Sequence, residues 1–89
     1  MSSPGPWKLH VVKSAEKELA EAGAKDSKRL KAALEAMQFD PYSGDIAKLK
    51  GEKTAWRRRV GSWRILYDLF PEQHLIVVAA IRRRTSTSY

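Results

Sequence analysis

Trp56-Arg-Arg-Arg-Val-Gly-Ser-Trp-Arg-Ile-Leu-Tyr67 predicts a β-hairpin, and this stretch decides the fold. Two β-rich runs flank the pair Gly61-Ser62, and glycine at the first turn position suits the type II′ geometry of a two-residue turn. Successive side chains of a strand point to opposite faces of the sheet. One face therefore takes Trp56, Arg58, Val60, Trp63, Ile65 and Tyr67, and the other takes Arg57, Arg59, Arg64 and Leu66.

The second of these faces carries three arginines on a small area. In the predicted register, Arg59 lies directly opposite Arg64. Like charges opposite each other on neighbouring strands destabilise a sheet. Stability alone does not account for this arrangement, whereas a polyanionic partner does.

The first face has the composition of a core. Trp56, Trp63 and Tyr67 share it with aliphatic side chains, so we expect them to pack under helices rather than to stack on bases. Arg58 is the exception on this face. Near a sheet edge its stem can extend so that the charge reaches solvent, or it can lie on an aromatic ring.

The net charge of +7 is unevenly distributed. Residues 1–45 carry seven Lys/Arg and seven Asp/Glu, whereas residues 46–89 carry ten Lys/Arg and three Asp/Glu. Such asymmetry indicates a nucleic acid or an acidic partner. A basic surface that only keeps the protein in solution is the alternative, but it needs no asymmetry.

A length of 89 residues predicts one domain over 1–89, with a modest core. We expect residues 1–6 to be a disordered lead-in and residues 85–89 a flexible tail. The absence of cysteine excludes a disulfide and a thiolate metal site, and it fits a reducing cytoplasm. No apolar run approaches the roughly 20 residues of a membrane-spanning helix, so we expect a cytoplasmic protein.

The remaining sequence predicts the element order β-α-α-β-β-β, an α+β fold. A first strand covers 7–13, and Ser14 is the predicted N-cap of a helix that ends at Gly23. Asp26 or Ser27 is predicted to cap the second helix, whose buried positions recur at helical spacing. These positions are Leu30, Ala33, Leu34 and Met37. We therefore expect a two-helix hairpin packed on a small, mostly antiparallel sheet.

Two further strands complete the predicted sheet. Residues 46–50 suit a short edge strand, because lysine is common on exposed edges. Residues 75–81 form an unbroken apolar run, which predicts the most buried strand. Three arginines, Arg82 to Arg84, close it.

The usual signatures of metal and nucleotide chemistry are missing from the sequence. His10 and His74 lie far apart without carboxylates at metal spacing, and no glycine-rich phosphate loop precedes a helix. We therefore expect no cofactor and no metal. Arginine suits phosphate, because its planar fork donates two parallel hydrogen bonds. The basic residues expected to add RNA contacts around the hairpin are Lys50, Lys53, Arg82 and Arg84.

The chain resembles the RelE/ParE toxin superfamily in three motifs. These are the step Leu49-Lys50-Gly51, the segment Trp63-Arg-Ile-Leu-Tyr67 after an aromatic-basic strand, and a last strand that ends in arginines ahead of a tyrosine. The resemblance covers nearly the whole chain and implies the RelE-like fold. It is nearer to the RelE branch, whose members are ribosome-dependent mRNA endonucleases and inhibit translation without a metal.

The resemblance also implies a set of catalytic residues. Matched one by one, they are Arg57, Arg59, Arg64, Arg83 and Tyr89. RelE itself often has lysine at the two positions that are Arg57 and Arg59 here. Arginine does not lose its proton at working pH, so charge stabilisation rather than general-base catalysis is the expected role of Arg57. Lys50 or Lys53 is an alternative base.

The resemblance implies three macromolecular partners: a cognate antitoxin that is acidic and partly disordered, the ribosome, and mRNA. No membrane partner is expected. Two other functions stay open on the sequence. The first is a ParE-like inhibitor of DNA gyrase without nuclease activity, and the second is a basic RNA-binding module or an inactive toxin homologue.

Overall fold

The structure is a computed structural model that describes residues 6–49, 51 and 55–83. Its elements in chain order are β1 (Lys8–Val11), α1 (Lys13–Ala20), α2 (Ala24–Phe39), β2 (Ile46–Lys48), β3 (Trp56–Val60), β4 (Trp63–Phe70) and β5 (Leu75–Arg83). A short 3₁₀ turn, Pro71–Gln73, joins β4 to β5. The predicted α+β class is confirmed, with β2 as the extra edge strand. No helix in the described part of the chain is long and apolar enough to cross a membrane.

The five strands form one sheet in the order β1-β5-β4-β3-β2. Only β1 and β5 run parallel, and the other three pairs are antiparallel. The apolar run of β5 lies between β1 and β4, so its backbone is paired on both sides. This position explains why it reads as the most apolar strand of the sequence.

The hairpin of β3 and β4 has the predicted register. Trp56 pairs with Tyr67, Arg59 with Arg64 and Val60 with Trp63. Gly61 has a φ of 58°, and His74 is the only non-glycine residue with a positive φ in the described part of the chain. A positive φ at the first turn residue alone is the signature of the type II′ turn.

The core lies between one face of the sheet and both helices. Tyr67 and Ile65 of β4 are fully buried there together with Leu30 and Met37 of α2. Trp56 and Trp63 are partly buried and pack against this cluster. The expectation that the hairpin aromatics serve as core is therefore confirmed. The opposite face of the sheet is not covered by either helix.

The predicted start of α1 was wrong by two residues. The helix begins at Lys13, so Ser14 lies inside it, and the N-cap is Val12, which makes no side-chain cap hydrogen bond. Both backbone polar groups of Val12 are hydrogen-bonded. Its N–H donates to the Val78 carbonyl at 3.1 Å, and its carbonyl accepts from the Glu16 N–H at 2.9 Å. The β1–β5 ladder thus fixes where α1 begins.

The predicted cap of α2 was also wrong. Gly23, expected to end α1, is instead the N-cap of α2 and has a φ of 94°. Its carbonyl accepts from the Ser27 N–H at 2.8 Å, so Asp26 and Ser27 lie within the first turn. Residues 21–23 join the two helices, and Gly23 provides the positive φ of this link, which glycine adopts without steric cost.

Candidate nucleic-acid interface

Three arginines on adjacent strands form a line across the uncovered face of the sheet. Arg64 of β4 pairs with Arg59 of β3 on one side and with Arg82 of β5 on the other. All three are exposed. Strands are spaced about 4.8 Å apart, so this line, the arginine row, spans about 10 Å. Its position perpendicular to the strands places three positive charges within reach of one short anionic segment.

Arg57 belongs to the same face but has a different environment. It lies two residues before Arg59 on β3 and pairs with Leu66 of β4. Its side chain is only 19% exposed. Its Nη1 atom is buried and has no hydrogen-bond partner among the described residues. We refer to Arg57 and the arginine row together as the arginine face.

The register of β5 places Arg83 on the opposite face of the sheet. Arg83 pairs with Trp63, and its guanidinium carbon lies 5.6 Å from the centroid of the Trp63 ring. The resemblance assigned Arg83 to the catalytic set, whereas the structure brings Arg82, an expected RNA contact, into the row. The cause is a β-bulge: Leu66 pairs with Ala80 but Tyr67 pairs with Val78, so β5 has one extra residue.

Four residues of the predicted site lie outside the described residues. These are Lys50, Lys53, Arg84 and Tyr89, and their roles stay predictions. The ends of the segment that carries the two lysines are nevertheless fixed. The Leu49 N–H donates to the Ala55 carbonyl at 2.7 Å, and the Ala55 N–H donates to Oδ1 of Asp68 at 2.8 Å. Leu49 and Ala55 therefore lie next to each other, and Ala55 leads directly into β3.

Sequence reasoning missed a carboxylate at the edge of the arginine face. Oδ1 of Asp45 lies 3.8 Å from Nη1 of Arg57, and Oδ2 lies 3.8 Å from Nε of Arg59. The Asp45 side chain is 58% exposed. Its carbonyl accepts from the Arg59 N–H at 2.9 Å, which continues the β2–β3 pairing by one residue. No local sequence signal identifies this contact, because it depends on how β2 pairs with β3.

Arg58, which lies between Arg57 and Arg59 in the sequence, contacts the same turn from the helix side of the sheet. Its Nη1 donates to the Ser43 carbonyl at 3.0 Å. Its guanidinium lies so close to Gly44 that a Cβ at that position would be 2.7 Å from Cζ. Of the two orientations expected for Arg58, neither describes this contact, since the charge is held by a backbone carbonyl.

The buried tyrosine of the hairpin does not take part in the arginine face. The Tyr67 hydroxyl donates to the Pro41 carbonyl at 3.2 Å. Burial raises the pKa of Tyr67 to about 12, while the nearby Arg58 charge opposes this rise and Tyr42 adds to it. A phenol that is buried and protonated in this way has no access to a substrate on the other side of the sheet.

The geometry supports phosphate binding and the stabilisation of a negatively charged transition state. Cations fixed in advance around a reacting phosphate lower the barrier without reorganisation. The described part of the chain contains no group of three or more His, Cys, Asp or Glu side chains arranged to hold a metal ion. The described residues of the face are arginines, which donate hydrogen bonds and charge but do not accept a proton.

The sequence matches a known family over most of its length. Residues 9–87 match the model of the ParE toxin of type II toxin-antitoxin systems. A Methanocaldococcus jannaschii protein assigned as the toxin RelE1 is 26% identical over 81 residues, which cover 88% of this chain and 90% of that protein.

Solved toxin structures share the fold. The structure of the RelBE2 toxin-antitoxin complex from Mycobacterium tuberculosis contains a chain with a TM-score of 0.78, at 16% identity, covering 94% of this chain and 98% of its own. A chain of the archaeal RelE-RelB complex from Pyrococcus horikoshii also gives 0.78, at 18% identity and 92% and 99% coverage. The isolated Escherichia coli RelE toxin gives 0.76, at 19% identity and 91% and 87% coverage.

Proposed function

The chain belongs to the ParE toxin family, within the RelE/ParE superfamily of type II toxin-antitoxin toxins, and from its arginine row we propose that it is a ribosome-dependent mRNA endonuclease. It stops translation by cutting mRNA without a metal, and it acts in the cytoplasm, where ribosomes are. The observation that carries this proposal is the arginine row on the uncovered face of the sheet.

A surface that only inhibits a protein partner has no need of this row. Three like charges aligned across neighbouring strands lower the stability of the fold. The same three charges attract most strongly an anion that contacts all of them. A phosphodiester at the moment of attack is such an anion, since its negative charge increases in the pentavalent transition state. Arg59, Arg64 and Arg82 are proposed to bind the phosphate oxygens, and Arg57 to add charge at one end.

In the proposed reaction, the 2′-oxygen of a ribose attacks the adjacent phosphorus, and the bond from phosphorus to the 5′-oxygen breaks. The 2′-hydroxyl loses its proton, and the departing 5′-oxygen gains one. The products are a 2′,3′-cyclic phosphate and a 5′-hydroxyl. The arginines stabilise the pentavalent phosphate. Lys50 or Lys53 is the proposed base, because arginine does not give up its proton. Tyr89, which the resemblance places in the site, is the proposed proton donor or stacking group.

The match to the ParE model favours a second candidate function. In that case the protein inhibits DNA gyrase by binding it, and no RNA is cut. The arginine face then serves as a protein-binding or DNA-contacting surface, and the nucleotide chemistry above does not occur.

Mapping of transcript 5′ ends after induced expression in a bacterial host separates these functions. We expect translation-dependent cuts with the wild type and none with Arg64→Ala. Lys31→Ala is the matched control, because Lys31 is an exposed cation on α2. Growth arrest with intact transcripts and a DNA-damage response would instead support gyrase inhibition. An absence of arrest would leave only a basic binding module or an inactive homologue.

A cognate antitoxin is the proposed protein partner. The solved Mycobacterium tuberculosis and Pyrococcus horikoshii structures are toxin-antitoxin complexes. An acidic segment that covers the arginine face would neutralise the toxin and shield its repelling charges. Such a partner binds only the folded toxin. The apparent stability of the toxin should therefore rise as the concentration of the antitoxin rises.

A further inference from the structure

The carboxylate of Asp45 lies where a phosphate would bridge two arginines of the arginine face. Each of its two oxygens lies 3.8 Å from a nitrogen of a different guanidinium, one on Arg57 and one on Arg59. A phosphate oxygen pair would meet the same two groups in the same way. We propose that Asp45 is an internal stand-in for substrate phosphate, which competes with RNA for these two arginines and so lowers the affinity of the arginine face for RNA. This inference rests on the proposed function.

The position of Asp45 is set by the backbone rather than by its charge. Its carbonyl is bonded to the Arg59 N–H at 2.9 Å, and the following Ile46 N–H is bonded to the Gly44 carbonyl at 3.0 Å. On the helix side, Arg58 holds the Ser43 carbonyl. Three successive arginines of β3 thus contact a single turn, residues 43–45, from both faces of the sheet. The turn keeps its place when the Asp45 charge is removed.

The contacts of the carboxylate are suited to exchange. At 3.8 Å neither ion pair has the length of a charge-assisted hydrogen bond, which is about 2.7–2.9 Å. Nη1 of Arg57 has no hydrogen-bond partner among the described residues even with Asp45 beside it. Because Nη1 is buried, a phosphate reaches it only when the Asp45 carboxylate moves away, and it then gains a hydrogen bond that the carboxylate does not make.

The magnitude follows from Coulomb's law. Two unit charges about 4 Å apart in water interact by about 1 kcal/mol, which corresponds to roughly fivefold in affinity. Removal of the Asp45 charge should therefore tighten the binding of any single-stranded RNA by roughly fivefold at low salt. The gain should decline at higher salt, because exposed charges are screened.

The test uses the purified full chain and a single-stranded RNA with 2′-O-methyl riboses, which cannot be cut by the proposed reaction. Binding is measured by fluorescence anisotropy for the wild type, Asp45→Asn and Glu72→Gln. Glu72 is the matched control, because its substitution changes the net charge equally but it lies in the 3₁₀ turn at the far end of β4. We expect Asp45→Asn to bind roughly fivefold more tightly than Glu72→Gln.

A second pair of variants tests whether the tighter RNA binding of Asp45→Asn depends on Arg57 and Arg59. In an Arg57→Ala/Arg59→Ala background, the added substitution Asp45→Asn should no longer tighten binding. Equal RNA affinity of Asp45→Asn and Glu72→Gln would overturn this role of Asp45 and leave the proposed function intact. Weaker RNA binding by Asp45→Asn would also overturn it, because Asp45 would then be a positioning residue for the arginines. If neither the wild type nor Asp45→Asn binds RNA, the proposed function fails together with this inference.

Discussion

Arg64 is paired directly with Arg82 on one neighbouring strand and with Arg59 on the other, so one arginine has a like charge on each side. Each such pair lowers stability by roughly 0.2–1 kcal/mol, since like charges repel across a ladder. The central member of the row therefore experiences the strongest repulsion from the fold itself.

The first prediction concerns Arg64→Gln, which removes the charge and keeps most of the length. We expect the free energy of unfolding to rise by about 0.5 kcal/mol at low salt, because two repulsive pairs disappear. The rise should vanish in 0.5 M salt, where charges are screened. Urea unfolding at two salt concentrations measures it, while transcript cleavage by the same variant is lost. A less stable variant at low salt would contradict the repulsion.

The second prediction separates two neighbouring arginines of β5. Arg82→Ala should lose cleavage and weaken RNA binding, because Arg82 lies in the arginine row. Arg83→Ala should instead lower the free energy of unfolding by about 0.5–1 kcal/mol, since it removes a cation from the Trp63 ring. Binding assays and urea unfolding of both variants check this pair. Loss of cleavage in Arg83→Ala alone would return the catalytic role to Arg83, as the resemblance implies.

The third prediction concerns Gly44, whose φ is 84°. Gly44→Ala places a Cβ 2.7 Å from Cζ of Arg58, in addition to the strain of a side chain at positive φ. The flexible end of Arg58 has to move away from this Cβ and then loses its hydrogen bond to the Ser43 carbonyl, so we expect a total loss of about 2–3 kcal/mol in the free energy of unfolding. Gly51→Ala is the matched control: its φ is 70°, but no described residue lies within 4 Å of the added Cβ, so only the strain remains, about 1–2 kcal/mol.

The difference between these two glycine variants isolates the Arg58 contact. It should shrink when Arg58 is replaced by methionine in both, because the displaced guanidinium is then absent. An unchanged difference would show that the side chain of Arg58 moves aside without cost.

The fourth prediction concerns the Tyr67 hydroxyl. Its folded pKa of about 12 exceeds the ordinary value of 10, chiefly because of burial. A raised folded pKa gives a contribution to stability that is complete below pH 10 and is lost as pH rises from 10 through 12. The loss should be on the order of 2 kcal/mol in the wild type, and it should be absent in Tyr67→Phe.

Absorbance titration of the phenols checks the same point directly. One of the three tyrosines should ionise near pH 12 in the folded protein. Tyr42→Phe is the control, because Tyr42 is 49% exposed. At neutral pH, Tyr67→Phe should be less stable by about 1 kcal/mol, the worth of its hydrogen bond to the Pro41 carbonyl.

The hairpin was predictable in detail because its geometry is local. A two-residue turn with glycine first fixes the register, and the register fixes which side chains share a face. The pairing of Arg59 with Arg64 follows from these two facts alone. The apolar positions of α2 were equally predictable, since helical spacing places Leu30, Leu34 and Met37 on one face.

The membership of Arg82 in the row was not predictable, because it depends on a bulge. Strict alternation from the buried Ile76 and Val78 puts Arg83 on the open face and Arg82 on the helix face. The extra residue of β5 between its pairs with Leu66 and Tyr67 reverses this order. It lets Ile81 enter the core, where it is 1% exposed. The bulge carries no glycine signal, so only the packing of β5 against the helices determines it.

The helix starts and the Asp45 contact were missed for a related reason. The helix α1 begins directly after its N-cap Val12, because the Val12 N–H donates to β5. Asp45 contacts two arginines because β2 pairs with β3. Both depend on strands that are distant in sequence. Local preference for Ser, Thr or Asp at a helix start is worth about 1 kcal/mol, which ladder hydrogen bonds readily override.

The repetition of arginine along β3 and β5 has a consequence for how the protein tolerates change. If β5 gained or lost one residue at its bulge, Arg82 and Arg83 would exchange faces, and each face would still receive an arginine. The same holds for a slip within Arg57 to Arg59. A single insertion or deletion in either strand therefore still leaves at least one arginine of that strand on the open face.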